Sequence, residues 1–228
     1  MRRQHGFTLT ELLIVTSIIA LLATISLPFL LSSKISANEE AAFTTLRLIG
    51  QAQVQFQGAD AADFNLNGTG EYGTFGELSG GVAVRAASGG TSFVRTALLS
   101  PAFRNVSVVG EVQRGGYIFR MYLPDAAGTG TVEQPGGGAG ATVDASLAEN
   151  IWCIYAWPAN SEVTGRRSFF LNQSGEILFT ENAVYSGPGA PIEPGAAFAP
   201  GGALTSIEGS PAANTIGRDG NTWRPLGG

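Results

Sequence analysis

The chain has 228 residues, 44% hydrophobic and only 14% charged, with 32 Gly and 11 Pro, so it can build one substantial core joined by long loops and frequent turns. Thirteen basic against 18 acidic residues give a net charge of −5, and the pairs Arg2-Arg3 and Arg166-Arg167 stand isolated, which excludes the clustered basic face that a nucleic-acid partner requires. A single cysteine, Cys153, excludes any intrachain disulfide.

The N-terminus holds a large share of the apolar residues. Leu12 to Leu31 reads LLIVTSIIALLATISLPFLL, twenty residues without a charge. At about 1.5 Å per residue this stretch is roughly 30 Å long, the thickness of a bilayer's hydrocarbon core. A secretory signal peptide normally has a shorter apolar region ending in an Ala-x-Ala-like site, and no such site follows Leu31. Helix-forming residues continue instead through Gln57, with Ile35, Ala42, Leu46, Ile49, Val54 and Phe56 recurring every three or four positions. The pattern predicts one helix over 7–57, apolar all round in its first half and amphipathic in its second.

Two residues of this helix call for a reason. Glu11 sits at the edge of the apolar run, where a carboxylate needs a partner or a headgroup-level position. Pro28 removes a backbone donor and crowds the preceding turn, so a kink or local melting is expected there.

Gly6-Phe7-Thr8-Leu9-Thr10-Glu11, followed by Leu12-Leu13-Ile14-Val15, resembles the prepilin cleavage and methylation motif of type IV pilins and type II secretion pseudopilins. The resemblance implies that a membrane-embedded prepilin peptidase removes a leader of residues 1–6 by cutting between Gly6 and Phe7, and that Phe7 is then N-methylated. Glu11 falls at the position of the family's glutamate, and Pro28 where the family often carries a proline. Cleavage would remove His5, leaving no imidazole for Ser-His-Asp or Cys-His catalysis or for a His-ligated zinc. It would also expose an ammonium on Phe7, which Glu11 of a neighbouring copy can neutralise inside an apolar bundle. Such head-to-tail pairing does not close on itself and generates a filament.

From Gly58 the composition turns polar. Asp63-x-Asn65-x-Asn67-Gly68 matches the first half of a calcium loop, with Glu71 as a later ligand, but the closing position is Thr74 and not a carboxylate. The competing reading is an Asn/Gly turn that ends the helix. Val94 to Phe103 suggests a short helix interrupted by Pro101. Four strands are predicted at Tyr117–Leu123, Ile151–Trp157, Ser168–Leu171 and Glu176–Thr180, the last two flanking a hairpin turn at Asn172 to Gly175. Gly128 to Asn150 reads as a mobile surface excursion. Trp152, Tyr155 and Trp157 alternate on a strand and could stack on sugar or a ligand, although buried or interface packing is the commoner use of such residues. Ser186 to Gly228, rich in Gly, Pro and Ala, is expected to run over the sheet as a tail pinned by Trp223.

The expected fold is α+β: a long N-terminal helix, with residues 7–31 crossing the membrane or forming a filament core, packed on an antiparallel sheet of about four strands within a head at 58–185, followed by a tail at 186–228. This arrangement resembles the pilin globular domain. The function expected is a non-enzymatic structural subunit of a type IV pilus-like filament, held in the inner membrane before assembly and at the cell surface afterwards. Its partners are then further copies of itself, prepilin peptidase and an assembly machinery. A type II secretion pseudopilin, which would stay periplasmic, shares every one of these helix features. A membrane-anchored ligand-binding module, and an enzyme using carboxylates among Asp60, Asp63, Glu71 and Glu77, are the readings from other classes.

Overall fold

Helix α1 spans Leu9–Gly58 without interruption in the computed structural model, which describes residues 6–87 and 89–226. Met1 to His5 of the leader lie outside the described residues. The helix passes through Pro28, so it does not melt there. Thr16 and Ser17 donate their hydroxyls to Leu13 O, Thr24 to Leu21 O and Ser26 to Leu22 O, so the polar side chains of this half are satisfied within the helix.

From Ile35 onward one face is buried, through Glu39, Ala42, Leu46, Ile49, Ala52, Gln53 and Phe56. Val54, expected on that face, is instead 66% exposed, and Gln53 is buried in its place. A turn of 100° per residue carries the stripe onto position 53, where the amide pairs reciprocally with Gly73: Gln53 Nε2 donates to Gly73 O and Gly73 N donates to Gln53 Oε1, both at 2.8 Å. Gly73 packs closely here, since a Cβ would lie 3.0 Å from the Phe56 ring and the ring would have to shift.

The sheet has eight strands, not about four. They are β1 (Glu111–Arg114), β2 (Tyr117–Pro124), β3 (Gly130–Val132), β4 (Cys153–Pro158), β5 (Ser168–Asn172), β6 (Leu178–Thr180), β7 (Thr215–Ile216) and β8 (Thr222–Pro225). The spatial order is β1-β2-β4-β5-β6-β8-β7 with β3 also on β2, and every pairing between these strands is antiparallel. The four predicted strands are its centre, β2, β4, β5 and β6. The other four have two to four residues each, too few to show alternation. Pro101 does not interrupt a helix but begins a 3-10 turn, Pro101–Arg104, at a position where its missing donor is not needed.

Alternation along β4 sends side chains to two different cores. Trp152, Ile154 and Ala156 face α1, with Phe119, Met121, Phe169 and Leu171. Cys153, Tyr155 and Trp157 face the other way, with Ile118, Tyr122 and Phe170. Tyr155 and Trp157 therefore share a face that Trp152 does not, and all three are buried. The second core is closed by the tail: Ile192, Ala196, Ala197, Phe198, Ile207, Ala212 and Trp223 all pack into it. Two sheet tyrosines satisfy the tail's backbone there, Tyr122 donating to Ile192 O and Tyr155 to Pro194 O, while Ala197 N donates to the Tyr155 hydroxyl.

The stretch 128–150, expected to be a mobile excursion, holds β3 and a short helix α3 (Ala145–Ala148) and is tied down by Glu133. That buried carboxylate accepts from Phe75 N at 2.9 Å, Gly76 N at 2.7 Å and Gly138 N at 2.8 Å, joining the Gly-rich loop to the start of helix α2 (Phe75–Leu78).

Candidate functional site

The exposed end of α1 carries the residues that the motif singles out. Gly6 is exposed and Phe7 is 91% exposed. Thr8 caps the helix in a capping box with Glu11: Glu11 N donates to Thr8 Oγ1 at 3.3 Å, and Thr8 N donates back to Glu11 Oε2 at 2.8 Å. The Thr8 hydroxyl also donates to Glu11 Oε2, at 2.7 Å. One carboxylate oxygen is therefore engaged by the cap, while Oε1 has no partner among the described residues. The cap holds the side chain through Oε2 alone. Glu11 is the one charged residue between Gly6 and Ser33.

Around it every large side chain is solvent-facing. Leu12, Leu13, Ile14, Val15, Ile18, Ile19, Leu21, Leu22, Ile25, Leu27, Phe29, Leu30 and Leu31 are between 42% and 71% exposed. Among the described residues α1 is the single helix long and apolar enough to cross a membrane, and none of its most apolar stretch is buried against the head. A continuous apolar surface of this size on a chain requires lipid or other protein around it.

The head is held to this helix just above the apolar half. Glu39, 6% exposed, accepts from Arg166 N and Arg167 N and pairs with the Arg167 guanidinium at 2.6 Å. Asn38 Nδ2 donates to Thr164 O. These anchors are not evident in the sequence as functional residues, although Glu39 occupies the buried stripe of α1, where an acid needs a partner.

Among the proposed calcium ligands, Asp63, Asn65 and Asn67 come together and Glu71 does not join them. Asp63 accepts from Asn67 N and Gly68 N, Asn65 Oδ1 from Asn67 N, and Asn67 Oδ1 from Thr69 N, so the loop's oxygens face its own backbone. The amide nitrogens of Asn65 and Asn67 both donate to Glu149 Oε1. Glu71, 1% exposed, turns inward, accepting from Phe64 N and pairing with Arg85 Nε at 2.7 Å. Thr74 caps α2, and Glu77 completes that cap and takes a second arm of Arg85 at 2.7 Å. Of the four carboxylates considered for catalysis, Glu71 and Glu77 thus share one arginine, while Asp60 and Asp63 lie apart, Asp60 exposed and Asp63 half-buried. Among the described residues no group of three or more His, Cys, Asp or Glu is placed to hold a metal ion. Cys153 is fully buried, and burial pushes its thiol well above its ordinary pKa.

Residues 1–27 match the family model described as the prokaryotic N-terminal methylation motif. Comparison with curated proteins and with solved structures finds no match. The motif implies processing by prepilin peptidase and assembly into a pilin-type polymer, and with the apolar helix it is consistent with a precursor anchored in the inner membrane. The chain carries, in its first 27 residues, the signature of the type IV pilins and pseudopilins.

Proposed function

We propose that the chain is the structural subunit of a type IV pilus-like filament, that it catalyses no reaction, and that it assembles through α1 after removal of residues 1–6. The observation that carries this reading is Glu11: the one charge in the exposed apolar half of α1, held by Thr8 with Oε1 open, four residues after Phe7, which becomes the new N-terminus. The ammonium of a trimmed Phe7 on an adjacent copy supplies the missing partner. Inside a bundle of such helices both charges are shielded from water, so each is tolerated only when the other is present. The exposed side chains of Leu12 to Leu31 form the lipid-facing surface before assembly and the filament core after it. The pilus, and not the secretion pseudopilus, is preferred here as the final assembly, at the cell surface.

The test is Glu11→Ala in the full-length chain. The variant is expected to enter the membrane and to be trimmed at Gly6, while surface filaments, counted by electron microscopy and by shearing and pelleting, fall to a small fraction of the wild-type number. Filaments at wild-type abundance from a fully trimmed variant would contradict the pairing. Filaments confined to the periplasm, or seen only when a secretion system is present, would move the assignment to the pseudopilus.

A further inference from the structure

A groove of about 660 Å³ opens between α1 and the β5–β6 hairpin. Its apolar side is Val54, Trp152, Leu171 and Ile177, and its polar side is headed by Arg47. Arg47 is exposed, its guanidinium lies 4.9 Å from the centre of the Phe43 ring, and among the described residues it forms no ion pair. The groove offers one positive charge above an apolar floor. It suits a carboxylate carried beside an apolar side chain.

The same chain presents such a pair at the other end of its head. The turn between β4 and β5 is locked by its own bonds: Val163 N and Thr164 N donate to Asn160 O, and Glu162 N donates to Gly165 O. Asn38 and Glu39 clamp it to α1. Glu162 adopts φ 65°, a conformation that a residue with a side chain keeps only where its surroundings impose it. The result is a rigid tip with Val163 41% exposed and the Glu162 side chain 65% exposed. Among the described residues Glu162 pairs only with Arg166, in a solvent-screened contact that is readily exchanged.

The turn is bonded at Asn38 and the groove is centred near Gln51, which places them about 20 Å apart along α1. They cannot meet within one chain. Copies whose helices run parallel and are offset along the axis can bring one copy's turn to another's groove, and the contact repeats without closing. We propose that the groove receives the Glu162-Val163 turn of a neighbouring copy, with Glu162 paired to Arg47 and with Val163 on the Trp152–Ile177 floor. This contact rests on the filament reading above and adds a specific head-to-head interface to it.

The experiment uses the full-length chain with Gln51→Cys and Val163→Cys, the native Cys153 being fully buried. Filaments carrying both cysteines, treated with a mild oxidant, are expected to give a ladder of disulfide-linked multimers, and filaments carrying either one alone are expected to give none. In a second arm Arg47→Glu should lower filament yield about tenfold or more through like-charge contact, and adding Glu162→Arg should restore it. Filaments without a ladder, or a charge reversal that is silent or is not rescued, overturn the contact while leaving the filament intact. A wild-type chain that forms no filaments overturns both.

Discussion

Arg85 stands between two buried carboxylates, Glu71 and Glu77, and also donates to Tyr72 O, so three segments of the head meet on one guanidinium that is itself 11% exposed. Removing it leaves two acids buried without their cation. Arg85→Ala is expected to destabilise the full-length protein by about 3–5 kcal/mol, read by chemical denaturation in detergent micelles. A loss below 1 kcal/mol would mean that the glutamates rotate to water. Glu133 poses a different question, since burial raises its pKa above the ordinary 4.5 and the backbone donors of Gly138, Gly76 and Phe75 only partly offset this. A carboxyl raised on folding binds protons more tightly in the folded state, so its contribution to stability grows as pH falls through the window above 4.5. Glu133→Gln, which replaces an acceptor oxygen by a donor facing backbone N–H groups, should cost about 1–3 kcal/mol at pH 7. The gap between wild type and variant should widen from pH 7 toward pH 5; a gap that narrows contradicts the assignment.

At the scale of elements, α1 and the four central strands were legible because their patterns are long enough to show a period. The exceptions are informative. Gln53 replaced Val54 in the buried stripe because a reciprocal amide–backbone pair makes a buried glutamine acceptable, and no hydropathy pattern encodes that partner. The tail was legible only through Trp223, since its order comes from single side chains and not from repeats. Arg218 is the main example, donating to the carbonyls of Ala199, Ala203, Ser206 and Glu208 while lying over the Phe198 ring. Arg218→Ala should speed amide hydrogen exchange across 199–210 by local loosening worth about 1–3 kcal/mol and leave β4 and β5 protected. Unchanged exchange would show that the apolar anchors suffice. The Asp63 loop allowed two readings, a calcium loop and an Asn/Gly turn, and the sequence could not show that Glu71 points to Arg85 or that Glu149 arrives from α3's end. With its oxygens engaged by backbone amides, the loop predicts a melting temperature unmoved by a chelator, and a chelator-induced fall would reinstate a bound cation.

For the whole molecule, the division of labour follows from where apolar surface is covered. The head buries its own, on both faces of the sheet, while the first half of α1 covers none. The Asn38-Glu39 joint transmits the position of that bare helix to the head, so an assembly driven at Leu12 to Leu31 sets how heads meet. The motif was the most legible part of the chain because a small residue, an aromatic, an acid and an apolar run at fixed offsets have a chemical purpose independent of the fold. The head's surface, by contrast, is written in single residues such as Arg47 and Glu162. The pairing of Glu11 with a trimmed neighbour is the central claim, and intact-mass spectrometry of the purified subunit tests it most directly. The account predicts a chain that begins at Phe7 and carries one added methyl group; a subunit still bearing residues 1–6 would contradict it.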